Sequence, residues 1–268
     1  MLYEEKCVSL QIVFDERKWK NLLIVLYMKK LNFCLTAMVM VGMMMVSCQK
    51  KDDIKPLVGG NALFSINADG AQVSFAPGNL IYDSCYHFAA HQYDLGSYLG
   101  WGTGANPTNV STDNADYPEF EDWGNYMAGS WRTLSYDEWK YVVWDRPNAE
   151  DRCGIATVCG VHGMVLLPDV WKGRNFQSGF NGWDRNVYDE ATWKAMESAG
   201  AVFLPAQGYR EDGAIGYVDT AGFYWTSTPY MDGYAYYIDF IDELAHDQEY
   251  YRAIGIAVRL VKDEDGDL

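Results

Sequence analysis

The sequence predicts an α+β domain of short strands, two helices and long irregular loops. Three observations lead there. Aromatic residues make up 15% of the 268 residues (20 Tyr, 11 Phe, 10 Trp), beside 25 Gly and 8 Pro, a mixture of rings and turn formers that suits a loop-rich domain rather than a helix bundle. Only two stretches carry helix signals. Most other apolar residues fall in short alternating or continuous runs of strand length. Hydrophobic residues at 49% and charged residues at 22% are ordinary for a globular chain and too apolar for a disordered one. With 21 Lys+Arg against 37 Asp+Glu the net charge is −16. That excludes a general nucleic-acid binder, which needs a basic stripe to neutralise phosphates.

The first fifty residues read as an address. Met28-Lys29-Lys30 is a charged start, and Leu31–Val46 is a nearly continuous apolar run. That run is shorter than the roughly 20 residues of a membrane-spanning helix and fits the apolar region of a secretory signal. Met45-Val46-Ser47-Cys48 resembles a bacterial lipobox, with Met45 where the usual Leu stands, and makes Cys48 the expected lipidation site. Cys48-Gln49-Lys50-Lys51-Asp52-Asp53 is similar to the tag that sends some Bacteroidota lipoproteins to the outer face of the outer membrane. The expected organisation is residues 1–27 as an over-extended start, 28–47 as signal peptide, 48–61 as tether, 62–262 as the domain and 263–268 as an acidic tail. Residues 1–47 hold six basic and four acidic side chains, so the exported part keeps 15 and 33 and sits near −18. An acyl anchor would hold it at about 0.8 kcal/mol per buried CH₂.

From residue 64 the elements follow in order. Phe64-Ser65-Ile66 and Val73-Ser74-Phe75 alternate apolar and polar side chains, so they read as half-buried strands joined by a turn at Asn67–Gly70. Pro77-Gly78-Asn79 interrupts the chain before Leu80-Ile81-Tyr82. Residues 95–122, rich in Gly, Asn, Asp, Pro and Thr, read as a long surface loop punctuated by Trp101 and Trp123. Ser135-Tyr136-Asp137-Glu138 is a capping box, since the Ser hydroxyl can accept from the Glu138 N–H while the Glu carboxylate reaches back. Trp139, Val142 and Val143 then share one apolar helix face. A second helix is predicted over Asp189–Ala199, with Trp193 and Met196 inward and Gly200 in the capping position. Val165-Leu166-Leu167 and Ala201–Leu204 are buried strands closed by Pro168 and Pro205. Tyr224–Ser227, Tyr234–Phe240 and Gly255–Val261 are the final strands, and Lys262–Leu268 is expected to fray.

Three motifs carry a family resemblance. Trp131–Tyr141 (WRTLSYDEWKY) resembles the RLPTEAEWEYA segment of the formylglycine-generating-enzyme/sulfatase-modifying-factor family. Gly222–Thr228 (GFYWTST) is similar to its YWSST strand, and Gly255–Val261 (GIAVRLV) to its closing GFRLV. They stand in the family order, and Glu197–Ala206 with Gly208-Tyr209-Arg210 resembles a Bacteroides-type lipoprotein branch. The resemblance implies a C-type-lectin-like fold with short twisted antiparallel sheets. It does not carry the activity. The enzymes need paired cysteines near the closing strand, yet Leu260 follows Arg259 and no Cys lies beyond Cys159; thiolate chemistry needs a thiolate. Sulfoxide synthases of the same superfamily use His-x₃-His-x-Glu. Here His87 and His91 have the spacing, but Tyr93 takes the Glu position and Asp94 lies one further on. Their strand-and-loop setting reads them as structural histidines. The calcium-binding Glu-Pro-Asn of sugar-binding lectins is absent as well.

Other chemistry leaves little. Cys153 and Cys159 either close a short disulfide loop or stay free thiols. No Gly-x-Ser-x-Gly, His-Glu-x-x-His or phosphate-cradling Gly loop occurs. No cofactor is expected, with calcium in the Asp113–Asp122 loop left open.

The segment Tyr230–Arg252 holds six Tyr among many acids. Tyr supplies a broad, stiff contact surface with few rotatable bonds. The candidate ligand-binding residues are Tyr230, Asp232, Tyr234, Tyr237, Asp239, Asp242, His246, Asp247, Tyr250 and Tyr251. Alternation puts Tyr234, Tyr236, Ile238 and Phe240 inward and turns Tyr237 and Asp239 outward. The layout also resembles the variable proteins of diversity-generating retroelements. The expected function is a non-catalytic, adhesin-like surface lipoprotein, binding a host or bacterial surface protein or glycan and no nucleic acid. The rivals are a divergent enzyme of the same superfamily, such as a metal-dependent oxidase, and a structural subunit of a surface assembly.

Overall fold

The computed structural model describes residues 62–264. The over-extended start, signal segment, Cys48 and tether lie outside the described residues, as do residues 265–268. The domain is mixed α+β, with mostly short antiparallel sheets and two α-helices. The elements are β1 (Phe64–Ser65), β2 (Gln72–Phe75), β3 (Leu80–Tyr82), β4 (Tyr86–Phe88), β5 (Trp131–Thr133), α1 (Tyr136–Lys140), β6 (Cys153–Val158), β7 (Val161–Leu166), β8 (Val187–Tyr188), α2 (Glu190–Ser198), β9 (Val202–Pro205), β10 (Tyr209–Glu211), β11 (Ala214–Gly216), β12 (Gly222–Pro229), β13 (Tyr234–Phe240), β14 (Ala245–Tyr251) and β15 (Leu260–Glu264).

Three larger sheets run β1-β2-β15-β5, β8-β6-β7-β9 and β12-β13-β14, beside the ribbons β3-β4 and β10-β11. All pairings between these strands are antiparallel except β6 with β8. β15 lies between β2 and β5, so the first and last strands of the described chain meet in one sheet.

Both helices begin as the sequence predicts. The Ser135 hydroxyl accepts from Glu138 N–H and the Glu138 carboxylate accepts from Ser135 N–H, closing the capping box. α1 then loosens into one π-helical turn, Tyr141–Asp145, that still buries Val142 and Val143. Asp189 caps α2, and Gly200 leaves it at φ +101°, a left-handed conformation that glycine adopts without a Cβ clash.

The interior is built from rings. Phe64, Phe75 and Trp139 pack with Tyr224, Ile238 and Phe240 on one side of β12-β13. Trp101, Trp123, Trp131 and Trp225 pack with Ala235 and Tyr237 on the other. Trp193, Met196 and Phe203 hold α2 to the β6-β7-β9 sheet. Two indoles pin the 95–122 loop: Trp101 Nε1 donates to the Thr226 carbonyl at 3.0 Å, and Trp123 Nε1, just beyond it, to Thr103 Oγ1 at 3.3 Å.

Several expectations need correction. Of the two readings of Cys153 and Cys159, the free thiols hold and the disulfide does not: Cys159 follows the far end of β6 from Cys153, about 20 Å away at strand spacing and beyond disulfide reach. Cys153 is buried, which pushes its thiol up to about 12. The expected frayed tail starts too early, because Asp263 and Glu264 extend β15. Arg132 grips Asp263 through Nε at 2.9 Å and Nη2 at 2.7 Å, and Ser74 Oγ donates to Glu264 at 2.6 Å. The closing strand starts at Leu260 rather than Gly255, because Ile256 and Ala257 send their N–H groups to different partners, Leu99 and Phe223. β14 is a strand where an acidic binding segment was expected.

Candidate functional site

The tyrosine segment folds into the β12-β13-β14 sheet. Tyr234 stands opposite Tyr251, Tyr236 opposite Glu249, Ile238 opposite Asp247 and Asp239 opposite His246. β12 carries an irregularity between Trp225 and Pro229, and α1 docks there. Ser227 N–H donates to the Leu134 carbonyl at 2.9 Å and Tyr136 N–H to Thr228 Oγ1 at 3.0 Å. These bonds lay the first residue of α1 over the sheet.

The result is an open aromatic face. Tyr136 stacks on Tyr236 with ring centroids 4.0 Å apart and planes 21° apart. Tyr230 meets Tyr236 edge-on at 5.0 Å, and Tyr234 lies 4.6 Å from Tyr251. Tyr230 and Tyr251 are each 42% exposed, and Tyr136, Tyr234 and Tyr236 are partly exposed. Acids interleave with the rings: Asp137 and Glu249 are exposed, and Asp247 accepts the Tyr136 hydroxyl. That hydrogen bond and partial burial raise the Tyr136 pKa above its ordinary 10.0. Lys140 Nζ stands 4.0 Å from Asp247. The face offers neutral ring surfaces, hydroxyl donors and carboxylate acceptors.

The other face of the sheet is different, and two candidate residues on it change role. Tyr237 is 7% exposed and packs at 5.9 Å from Phe223 and 6.3 Å from Trp225. Asp239 is 8% exposed. Both were expected outside. Simple alternation assumes one covered face, but β13 is covered on opposite faces at its two ends. Ile238 and Phe240 enter the Phe75–Trp139 cluster, whereas Ala235 and Tyr237 enter the Trp101–Trp225 cluster. This frees Tyr234 and Tyr236, both expected inside. Burial raises the Asp239 carboxyl against the opposing pull of His246, whose Nδ1 lies 3.7 Å from Oδ2; Oδ1 has no hydrogen-bond partner. Tyr250 is half-buried and donates to Glu211 at 3.1 Å.

The ten candidates therefore do not form one surface. Tyr230, Tyr234, Asp247 and Tyr251 share the open face; Tyr237, Asp239, His246 and Tyr250 share the other. Asp232 and Asp242 lie exposed in the turns at opposite ends of β13. Sequence reasoning missed Tyr136 and Tyr236, and the capping box that fixes the start of α1 was the available signal for the first.

Other candidate groups are committed elsewhere. His87 Nδ1 lies 3.3 Å from the Cys85 carbonyl, and His91 pairs with Asp94 at 3.0 Å while stacking on Tyr93. In the 113–122 loop Asp113 accepts from Ala115 N–H, Asp116 from the Ser111 hydroxyl, and Asp122 from Gly124 and Thr133. Among the described residues no three His, Cys, Asp or Glu side chains come together to hold a metal. An open cleft of about 360 Å³ runs along this loop past Trp101, Asn106, Tyr117 and Phe120. Beside it Arg252 stacks 4.4 Å over Trp101 and donates to the Tyr117 and Pro118 carbonyls.

Residues 177–261 match a family model described as a domain of unknown function (DUF8237). That span takes in α2, the whole tyrosine sheet and Arg259. No curated protein and no solved structure matches the chain.

Proposed function

We propose that the protein is a non-catalytic binding lipoprotein of the outer-membrane surface, gripping a protein or glycan through the open face of its tyrosine sheet. One observation carries this reading: two ring groups, Tyr136–Tyr236–Tyr230 and Tyr234–Tyr251, stand on one open face of the sheet with carboxylates among them. Rings already locked by stacking lose little conformational freedom when a partner lands, and that favours affinity. Phenol faces suit sugar rings or cationic side chains, and the net charge of −16 repels anionic partners. Among the described residues Cys153 is buried, which pushes its thiol up to about 12.

A C-type-lectin-like fold is part of the proposal. The pairing of β2 with β15, the two helices and the distal three-stranded sheet support it. The similarity to the sulfatase-modifying-factor family then extends to architecture and not to chemistry. Cys48 is the proposed anchor.

The test is a glycan and surface-protein array probed with the purified protein, followed by mass spectrometry of every ligand retained. The reading expects at least one ligand held and recovered unchanged. A ligand recovered chemically altered would make the protein an enzyme.

A further inference from the structure

β14 is the free edge of its sheet, and the bonding pattern identifies which of its groups are open. Trp225 N–H donates to the Ala257 carbonyl at 3.0 Å, and Ala257 N–H donates to the Phe223 carbonyl at 3.1 Å. The main chain of Phe223 and Trp225 therefore points away from β13, and that of Tyr224 points toward its partner Ile238. By the same alternation Tyr237 and Asp239 turn toward Gln248 and His246 on β14. Ala245, Asp247 and Glu249 are left with N–H and C=O directed outward, and among the described residues no backbone hydrogen bond outside the strand ladders uses them.

Such an edge invites pairing, and proteins blunt it with proline, lysine, bulges or cover. β14 has neither Pro nor Lys, pairs with β13 in unbroken register over Ala245–Tyr251, and spans about 20 Å. What it carries is negative charge: the open residues Asp247 and Glu249 lie on the tyrosine face beside Tyr251. A second copy pairing edge to edge would set these carboxylates against their own kind, and like charges facing across strands destabilise. The same charges attract a cationic strand.

We infer that β14 is a strand-addition site for an extended basic polypeptide segment, with Lys or Arg at alternate positions set against Asp247 and Glu249. This rests on the proposed function and deepens it: main-chain pairing would supply affinity, and alternate side chains specificity. The segment's basic side chains would share a face with Tyr234 and Tyr251, where cation–π contact is available.

The test titrates the ¹⁵N-labelled full chain with a synthetic peptide alternating lysine and valine, unmodified or N-methylated on alternate residues in either register. Expected are shifts of the Ala245, Asp247 and Glu249 amides, and about tenfold or greater loss of affinity for one methylated register only. Glu249→Pro, which removes an outward N–H the sheet does not use, should weaken binding well beyond Glu249→Ala while the folded spectrum persists. Equal affinity for both methylated registers, or edge amides that stay unmoved, overturns strand addition. If shifts then gather at Tyr234, Tyr236 and Tyr251, the tyrosine-face reading stands without it; if a ligand drawn from the array also leaves those signals unmoved, that reading falls too.

Discussion

Tyr237→Ala separates the structural tyrosines from the exposed ones. Tyr237 is 7% exposed and lies between Phe223 and Trp225. Burying a ring of roughly 150–200 Å² at about 25 cal/mol/Å² corresponds to about 4 kcal/mol, in line with the roughly 3–5 kcal/mol of aromatic-to-alanine changes in cores. For a domain of this size about 4 kcal/mol lowers Tm by roughly 8–16 °C. Tyr234→Ala removes only a cross-strand ring contact with Tyr251 at the surface, about 0.5–1 kcal/mol. Thermal unfolding followed by circular dichroism, with urea titrations for the free energies, measures both. If Tyr237→Ala costs no more than Tyr234→Ala, the account of a sheet covered on opposite faces at its two ends is wrong.

Other perturbations follow from the same contacts. Asp169 receives Arg146 Nη1 at 3.0 Å and the Ser65 hydroxyl at 2.7 Å; burial works to raise its pKa, but these partners hold it below 3.8. Asp169→Ala strands the buried Arg146 and should cost about 3 kcal/mol in urea unfolding; a loss under about 1 kcal/mol contradicts that reading. Asp239 shifts the opposite way. Its carboxyl is raised above 3.8, so the folded state keeps that proton to higher pH than the unfolded chain, and stability drains away as pH climbs from 3.8 through the folded value. Asp239→Asn should flatten that part of a pH series of urea midpoints, and parallel profiles for the two proteins would count against it. Ser135→Ala removes the cap of α1 at about 1 kcal/mol, and should loosen the Tyr136–Tyr236 stack in aromatic NMR shifts.

Much of the fold was legible because local rules set it. The capping box at Ser135 and Glu138 and the left-handed Gly200 are decided by their neighbours in sequence. The turn after Phe64–Ile66 is too, closed by Ile66 N–H on the Ala71 carbonyl. β14 was missed for the opposite reason. Ala, Asp, Gln and Glu have low strand propensity, and only pairing with β13 makes that run extended. The tail failed likewise, because Arg132, distant in sequence, supplies the charge that orders Asp263. The candidate site was half legible. Composition found the tyrosines, but their facing depends on which cluster covers each end of β13, and Tyr136 arrives from a helix remote along the chain.

The most direct measurement is calorimetric. A ligand retained on the array is titrated into the native protein and into a variant carrying Tyr234→Ser, Tyr236→Ser and Tyr251→Ser. The account predicts an affinity lower by about a hundredfold or more, roughly 2.8 kcal/mol, in a variant that stays folded. Equal affinity in a folded variant would show that the ligand lands elsewhere.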